Sequence, residues 1–287
     1  MRRREMILAC AGLGVAPGLV RAILEEGFEP EIGVCRGPGD AAVAKAAGAA
    51  YLEIGCAAEL RPLESDEDVA ARLEAIRTCG LPCRRANGFL PGSLKATGPD
   101  ADHDAVLAYA KVAFERAASV GMTAITFGSS GSRSLASGFD RREAELQFTA
   151  LLARMAGPAE EAGVVVCVEP LRKQETNFIN RVSEAARIVG AIDHPNIRIT
   201  ADIYHMLVED EGADAIRKAG GLVHHVHIAE EDGRRAPGTG GEDFRAYLRA
   251  LKDVGYEGLI SIECGWRDFG VEAAGAVGAL QEQIARV

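Results

Sequence analysis

Short apolar runs rich in β-branched residues alternate with longer polar-apolar segments along most of this chain. The runs at Glu31–Cys35, Ala50–Cys56, Leu81–Phe89 and Ala124–Gly128 read as four strands. Four more follow at Val164–Glu169, Ile197–Asp202, Leu222–His227 and Leu259–Glu263. Between and after them lie helical segments at Gly39–Gly48, Asp66–Cys79, Asp104–Val120, Arg141–Ala162, Val182–Ala191, Gly212–Ala219, Glu242–Val254 and Val271–Val287. Ser65 or Asp66 is placed to cap the second helix, and Gly121, Gly163, Gly220 and Gly255 stand where helices should stop. No linker or low-complexity tract interrupts this alternation, which argues for a parallel sheet with helices outside it. Closure at eight strand-helix pairs predicts a (β/α)8 TIM barrel, one domain over residues 1–287. Residues 1–30 then form an extension or helix leading into it. A doubly wound open sheet is the alternative, but no Gly-x-Gly-x-x-Gly opens a helix after a strand.

The last four strand-like runs share a feature: they end in Glu169, Asp202, His227 and Glu263. These residues recur at intervals of roughly 30 residues, about one strand-plus-helix unit of a barrel. They should therefore meet at the carboxyl-terminal rim, where barrels of this kind keep their chemistry. A single acid at a strand end is usually a cap or a solvated residue. Four potential ligands at one level in consecutive units are another matter. Three carboxylates and an imidazole suit one hard or borderline divalent ion: Mn first, with Mg, Co or Zn as alternatives.

Composition narrows the partners. The formal net charge is −10, the wrong sign for a nucleic-acid binder, and 48% hydrophobic residues supply ample core. The seven cysteines are scattered and lie mostly in apolar runs, as expected of reduced thiols in a cytoplasmic protein. Cys79 and Cys83 are close in sequence, but no second Cys/His pair answers them. The basic Met1-Arg-Arg-Arg and the apolar Met6–Ala16 resemble a secretory signal. Glu5 breaks the transition, so the segment reads as a cytoplasmic lead into an amphipathic helix around Pro17–Glu26. No apolar run is long enough to span a membrane.

Each strand-end residue has polar company. Glu169 is followed by Glu175. Asp202 begins Asp-x-x-His-Met with His205 and Met206. His225 and His227 precede Arg234, Arg235, Pro237 and Gly238. On these motifs the chain resembles the xylose-isomerase-like sugar isomerase/epimerase family, and within it the ketose 3-epimerases. The likeness is specific from residue 164 to 266 and topological before that. It implies a metal held by Glu169, Asp202, His227 and Glu263, with Glu169 and Glu263 also acting as acid and base. It implies proton abstraction beside the carbonyl of a ketose or keto-polyol, through a metal-stabilised enediolate. Return of the proton to the opposite face gives an epimer, return at the neighbouring carbon gives an isomer, and loss of a β-hydroxyl gives a dehydrated sugar.

Substrate contacts are expected from Glu175, His205, Arg234, Asn87 and Trp266. Arg234 fits the substrate arginine better than Arg235. Trp266 and Phe89 could wall the sugar ring or as easily be core. The loop Gly128–Ser134 carries small residues and Arg133 that could cradle an anion, meet sugar hydroxyls or form a plain loop. A homo-oligomer, dimer or tetramer, is expected. The alternatives are a dehydratase of keto-inositols or keto-acids on the same scaffold, an abasic-site nuclease, and a non-catalytic sugar binder. The nuclease would need more histidines in the early strands, where only His103 precedes residue 194.

Overall fold

The computed structural model describes residues 27–287. Its strands are β1 (Ile32–Cys35), β2 (Tyr51–Gly55), β3 (Cys83–Asn87), β4 (Ala124–Phe127), β5 (Val165–Val168), β6 (Ile197–Asp202), β7 (Val223–Ile228) and β8 (Leu259–Ile262). All pair in parallel in sequence order, and β8 closes on β1. One principal helix follows each strand: α1 (Ala41–Ala46), α2 (Asp66–Thr78), α3 (His103–Ser119), α4 (Arg141–Glu161), α5 (Val182–Ile192), α6 (Asp214–Ala219), α7 (Arg245–Asp253) and α8 (Phe269–Ile284). This is the expected barrel. The helix anticipated at Pro17–Glu26 lies outside the described residues.

Local signals account for the element ends. Ser65, Asp102, Asp140 and Asp268 each accept a hydrogen bond from a backbone N–H in the first turn of α2, α3, α4 and α8. The third strand is shorter than its apolar run, because Gly88 turns the chain at a left-handed φ of 57°. Phe89 then falls behind the sheet, fully buried against Tyr109, Phe114 and Phe127. It belongs to the core between α3 and β4, the second of the two places open to it, and not to a sugar-facing wall. The half-buried Trp266 packs edge-on against Phe269, with ring centroids 5.0 Å apart.

The barrel interior is not wholly apolar. Gly33 on β1 leaves space for the Tyr51 ring, since a Cβ there would lie 2.3 Å from the phenol carbon Cζ. Tyr51 thereby reaches Ser261 across the β1–β8 seam at 2.8 Å. Thr126 and Thr200 bond at 3.0 Å, and buried Glu53 meets His225 and His227. These paired groups avoid the cost of unsatisfied burial.

Cys56, Cys83 and Cys167 are buried free thiols, while Cys35, Cys79 and Cys264 are half-buried ones. The Cys79 and Cys83 sulfurs lie 3.9 Å apart, and no third potential ligand joins them among the described residues. No described helix is long and apolar enough to cross a membrane.

Candidate metal centre

Glu169 and Glu263 stand one residue beyond β5 and β8, Asp202 ends β6, and His227 is the penultimate residue of β7. In-register pairing sets them level: Asp202 faces His227, and the Glu263 N–H donates to the Ile228 carbonyl at 3.2 Å. One ligand-capable atom from each of the four lies within 4.8 Å of the others. His227 Nδ1 is 2.7 Å from Glu169 Oε1, 3.0 Å from Glu263 Oε2 and 4.0 Å from Asp202 Oδ2. Three carboxylate oxygens and one imidazole nitrogen in a nearly dry pocket fit a hard or borderline divalent ion.

Asp202 does two things. Its Oδ1 accepts from the His205 N–H at 3.2 Å and caps the short helix Ile203–Val208. Its Oδ2 is left facing the cluster. Capping and ligation, rival readings of a strand-end aspartate, here use different oxygens of one side chain.

Glu169, Glu263 and His227 sit in different fields. Burial raises Glu169 above the ordinary carboxylate range, against the opposing pull of His227. Burial also works against an ionised Glu263, but His227 and Arg234 outweigh it and hold this group low. Burial disfavours charge on His227, yet Glu53, Glu263 and Glu169 reverse that and keep the imidazole protonated well above its usual range.

Of the expected substrate residues, Asn87, Arg234, Glu175 and His205 reach the same mouth. Asn87 Nδ2 donates to Glu263 Oε1 at 2.7 Å, so it steadies a carboxylate of the cluster. Arg234 lies over the Tyr204 ring and pairs through Nη2 with Glu263 at 2.7 Å and Asp202 at 3.3 Å. Arg235 turns away to Asp232. Glu175 is held by Arg172 at 2.8 Å. The Nε2 of His205 and the Nε1 of Trp266 are buried without a hydrogen-bond partner. The His205 nitrogen lies 3.4 Å from Asp202 Oδ2, at the edge of the cluster.

The Gly128–Ser134 loop is not an anion cradle. Ser130–Arg133 forms one helical turn, and the Arg133 side chain is fully buried. Its guanidinium donates to the carbonyls of Glu169 at 2.6 Å and Phe178 at 2.7 Å, and to that of Gly128. It fixes the chain at Glu169 and is closed to solutes. Gly128 is needed for a related reason, because a Cβ there would lie 2.3 Å from Glu169 Oε2. Gly128→Ala should therefore displace that carboxylate. Divalent-ion affinity, measured by calorimetry, should fall at least tenfold while the circular dichroism spectrum stays unchanged; undiminished affinity would count against this packing.

Sequence reasoning passed over Glu53, Arg172 and Tyr204. Glu53 carried a signal: it is the one charge inside the apolar run Tyr51-Leu-Glu-Ile-Gly55, and a charge so placed needs a buried partner. Arg172 and Tyr204 carried none, since their meeting depends on how two loops fold together.

The family model described as xylose isomerase-like TIM barrel matches residues 41–286, and the chain belongs to that family. Among characterised relatives, it is 33% identical over 123 residues to an L-ribulose 3-epimerase of Methylomonas sp., covering 42% of this chain and 43% of that one. It is 36% identical over 110 residues to a D-psicose 3-epimerase of Ruminiclostridium cellulolyticum, covering 38% and 37%. These matches span less than half of each relative's length. A solved D-psicose 3-epimerase, determined in the presence of D-fructose, superposes with a TM-score of 0.77 at 21% identity, over 89% of this chain and 99% of that one. At that identity the likeness speaks for the fold.

Proposed function

We propose that this chain is a divalent-metal-dependent sugar isomerase or epimerase acting on a ketose or related keto-polyol. The observation that carries the reading is the convergence of Glu169, Asp202, His227 and Glu263 within 4.8 Å at the barrel mouth. The epimerase names of the relatives support it.

Glu169, Asp202, His227 and Glu263 would hold the ion, with manganese the first choice. When bound, the ion supplies Lewis-acid stabilisation of the negative charge that develops on the substrate carbonyl oxygen. The rest falls to the chain. Glu169 and Glu263 stand on strands separated around the barrel, so one can take the proton beside the carbonyl and the other can return one to the opposite face. Asn87 and Arg234 restrain the Glu263 carboxylate by two charge-assisted contacts. His205, whose Nε2 lies 3.4 Å from Asp202 Oδ2, and Trp266 would meet substrate hydroxyls, and Glu175 adds an acceptor beside Arg234 at 3.8 Å. We assign the activity to a single barrel domain, with residues 1–30 as a lead-in, that works in the cytoplasm as a dimer or tetramer.

The test is a panel of ketoses and keto-inositols incubated with the protein and Mn in deuterated water and read by mass. Uptake of one deuteron with epimerisation or isomerisation is expected for at least one ketose. Loss of water from a keto-inositol would establish the dehydratase alternative. Absence of exchange across the panel would leave a sugar binder and overturn the proposal.

A further inference from the structure

We propose that Glu53, on β2, is a positioning residue that turns the His227 imidazole so that Nδ1 faces the metal centre. The inference rests on the metal-centre reading above and extends it to a residue outside the four ligands.

A neutral imidazole carries one N–H and one lone pair, and whatever the second nitrogen meets decides which is which. His227 Nε2 lies 3.0 Å from Glu53 Oε1. An ionised carboxylate only accepts, so this contact places the N–H on Nε2. The lone pair is then on Nδ1, the nitrogen that points at Glu169, Glu263 and Asp202. Without Glu53, neither tautomer nor ring rotation is imposed from behind.

Glu53 is itself held. Its Oε2 accepts from His225 Nε2 at 2.7 Å, and the side chains of both residues are fully buried. His225 Nδ1 has no hydrogen-bond partner, so the bond to Glu53 is the polar contact that fixes this ring. The two imidazoles meet edge-on, with ring centroids 4.8 Å apart. A carboxylate in the dry barrel interior is costly unless both oxygens are satisfied, and here each takes one N–H. The arrangement His225–Glu53–His227 thus runs from the barrel interior to the ion site. It explains why a charged residue interrupts the otherwise apolar second strand. Carboxylates that orient a ligating histidine typically change metal affinity by about 10–100-fold when replaced.

Glu53 has a competing use. Cys35, Glu53 and His227 also bring ligand-capable atoms within 4.8 Å of one another. A metal held there would sit on His227 Nε2, and the experiment separates the two.

Native protein carrying nitrogen-15 in its histidines is titrated with Zn and followed by NMR. The expected result is a His227 ring with metal on Nδ1 and a proton on Nε2. Metal on Nε2 would overturn the proposal. In parallel, Mn affinity is measured calorimetrically for the native chain and for Glu53→Gln. The neutral amide cannot accept from both imidazoles, so the dissociation constant should rise about 10–100-fold. In the Zn-loaded variant the His227 resonances should also show metal divided between Nδ1 and Nε2, which loss of packing alone would not produce. Unchanged affinity with unchanged resonances would overturn the inference alone. Failure of the native chain to bind any divalent ion would overturn the metal-centre reading and this inference with it. Should Glu53→Gln not fold, the native NMR experiment still decides.

Discussion

Glu263→Gln is expected to lower solvent exchange at the substrate carbon by about 10²–10⁴-fold, the usual contribution of a general acid or base, while the barrel stays folded. The amide keeps the shape of the side chain but cannot take a proton at neutral pH. The position tolerates the change, because Glu263 lies just past β8 and is only half-buried. Its oxygens now accept from Asn87 Nδ2 and Arg234 Nη2, both at 2.7 Å. An amide oxygen can serve one of them, and Arg234 retains Asp202 at 3.3 Å. The loss therefore falls on chemistry and ion binding more than on folding. Deuterium uptake by the substrate, read beside circular dichroism and a thermal midpoint, checks this. Full exchange in a folded variant would remove the two-carboxylate mechanism.

What could be read from the sequence followed the physics of each signal. Strand positions were legible because a parallel barrel buries both strand faces, which forces apolar β-branched runs. The convergence of Glu169, Asp202, His227 and Glu263 was legible because they end those runs at one repeating level. Strand three was overextended to Phe89 because an apolar residue after a strand looks the same whether the strand continues or the chain turns. Gly88 made the difference. At Arg133 an arginine in a glycine-serine loop left an anion cradle, a sugar contact and a plain loop open, because only the fold shows that the loop turns back on β5 and the side chain is consumed by carbonyls. Arg234 was favoured over Arg235 on motif spacing, and the structure separates the pair in the same sense. Glu53 went unnoticed because its partners lie on β7, on the far side of the barrel from β2. Contacts of that kind follow only from closure.

Exhaustive chelation should reduce turnover to background, and Mn or Co should restore it. The charge in the site makes the expectation strong. Three carboxylates converge within 4.8 Å of one another and of His227, with Arg234 the guanidinium paired to two of them. An ion that binds only the folded chain stabilises it by mass action, about 2.7 kcal/mol at roughly 100 times the dissociation constant. For a domain of this size that corresponds to a rise of about 5 °C in Tm. Binding must also displace the proton from His227 Nδ1. Burial opposes that proton, but Glu53, Glu263 and Glu169 hold it well above the usual histidine range. Ion affinity should therefore fall as pH is lowered, and each ion bound at neutral pH should release protons. Calorimetric titration in two buffers of different ionisation enthalpy measures that release directly. Undiminished turnover after complete ion removal, or ion uptake without proton release, would show that the cluster is not the centre of the chemistry.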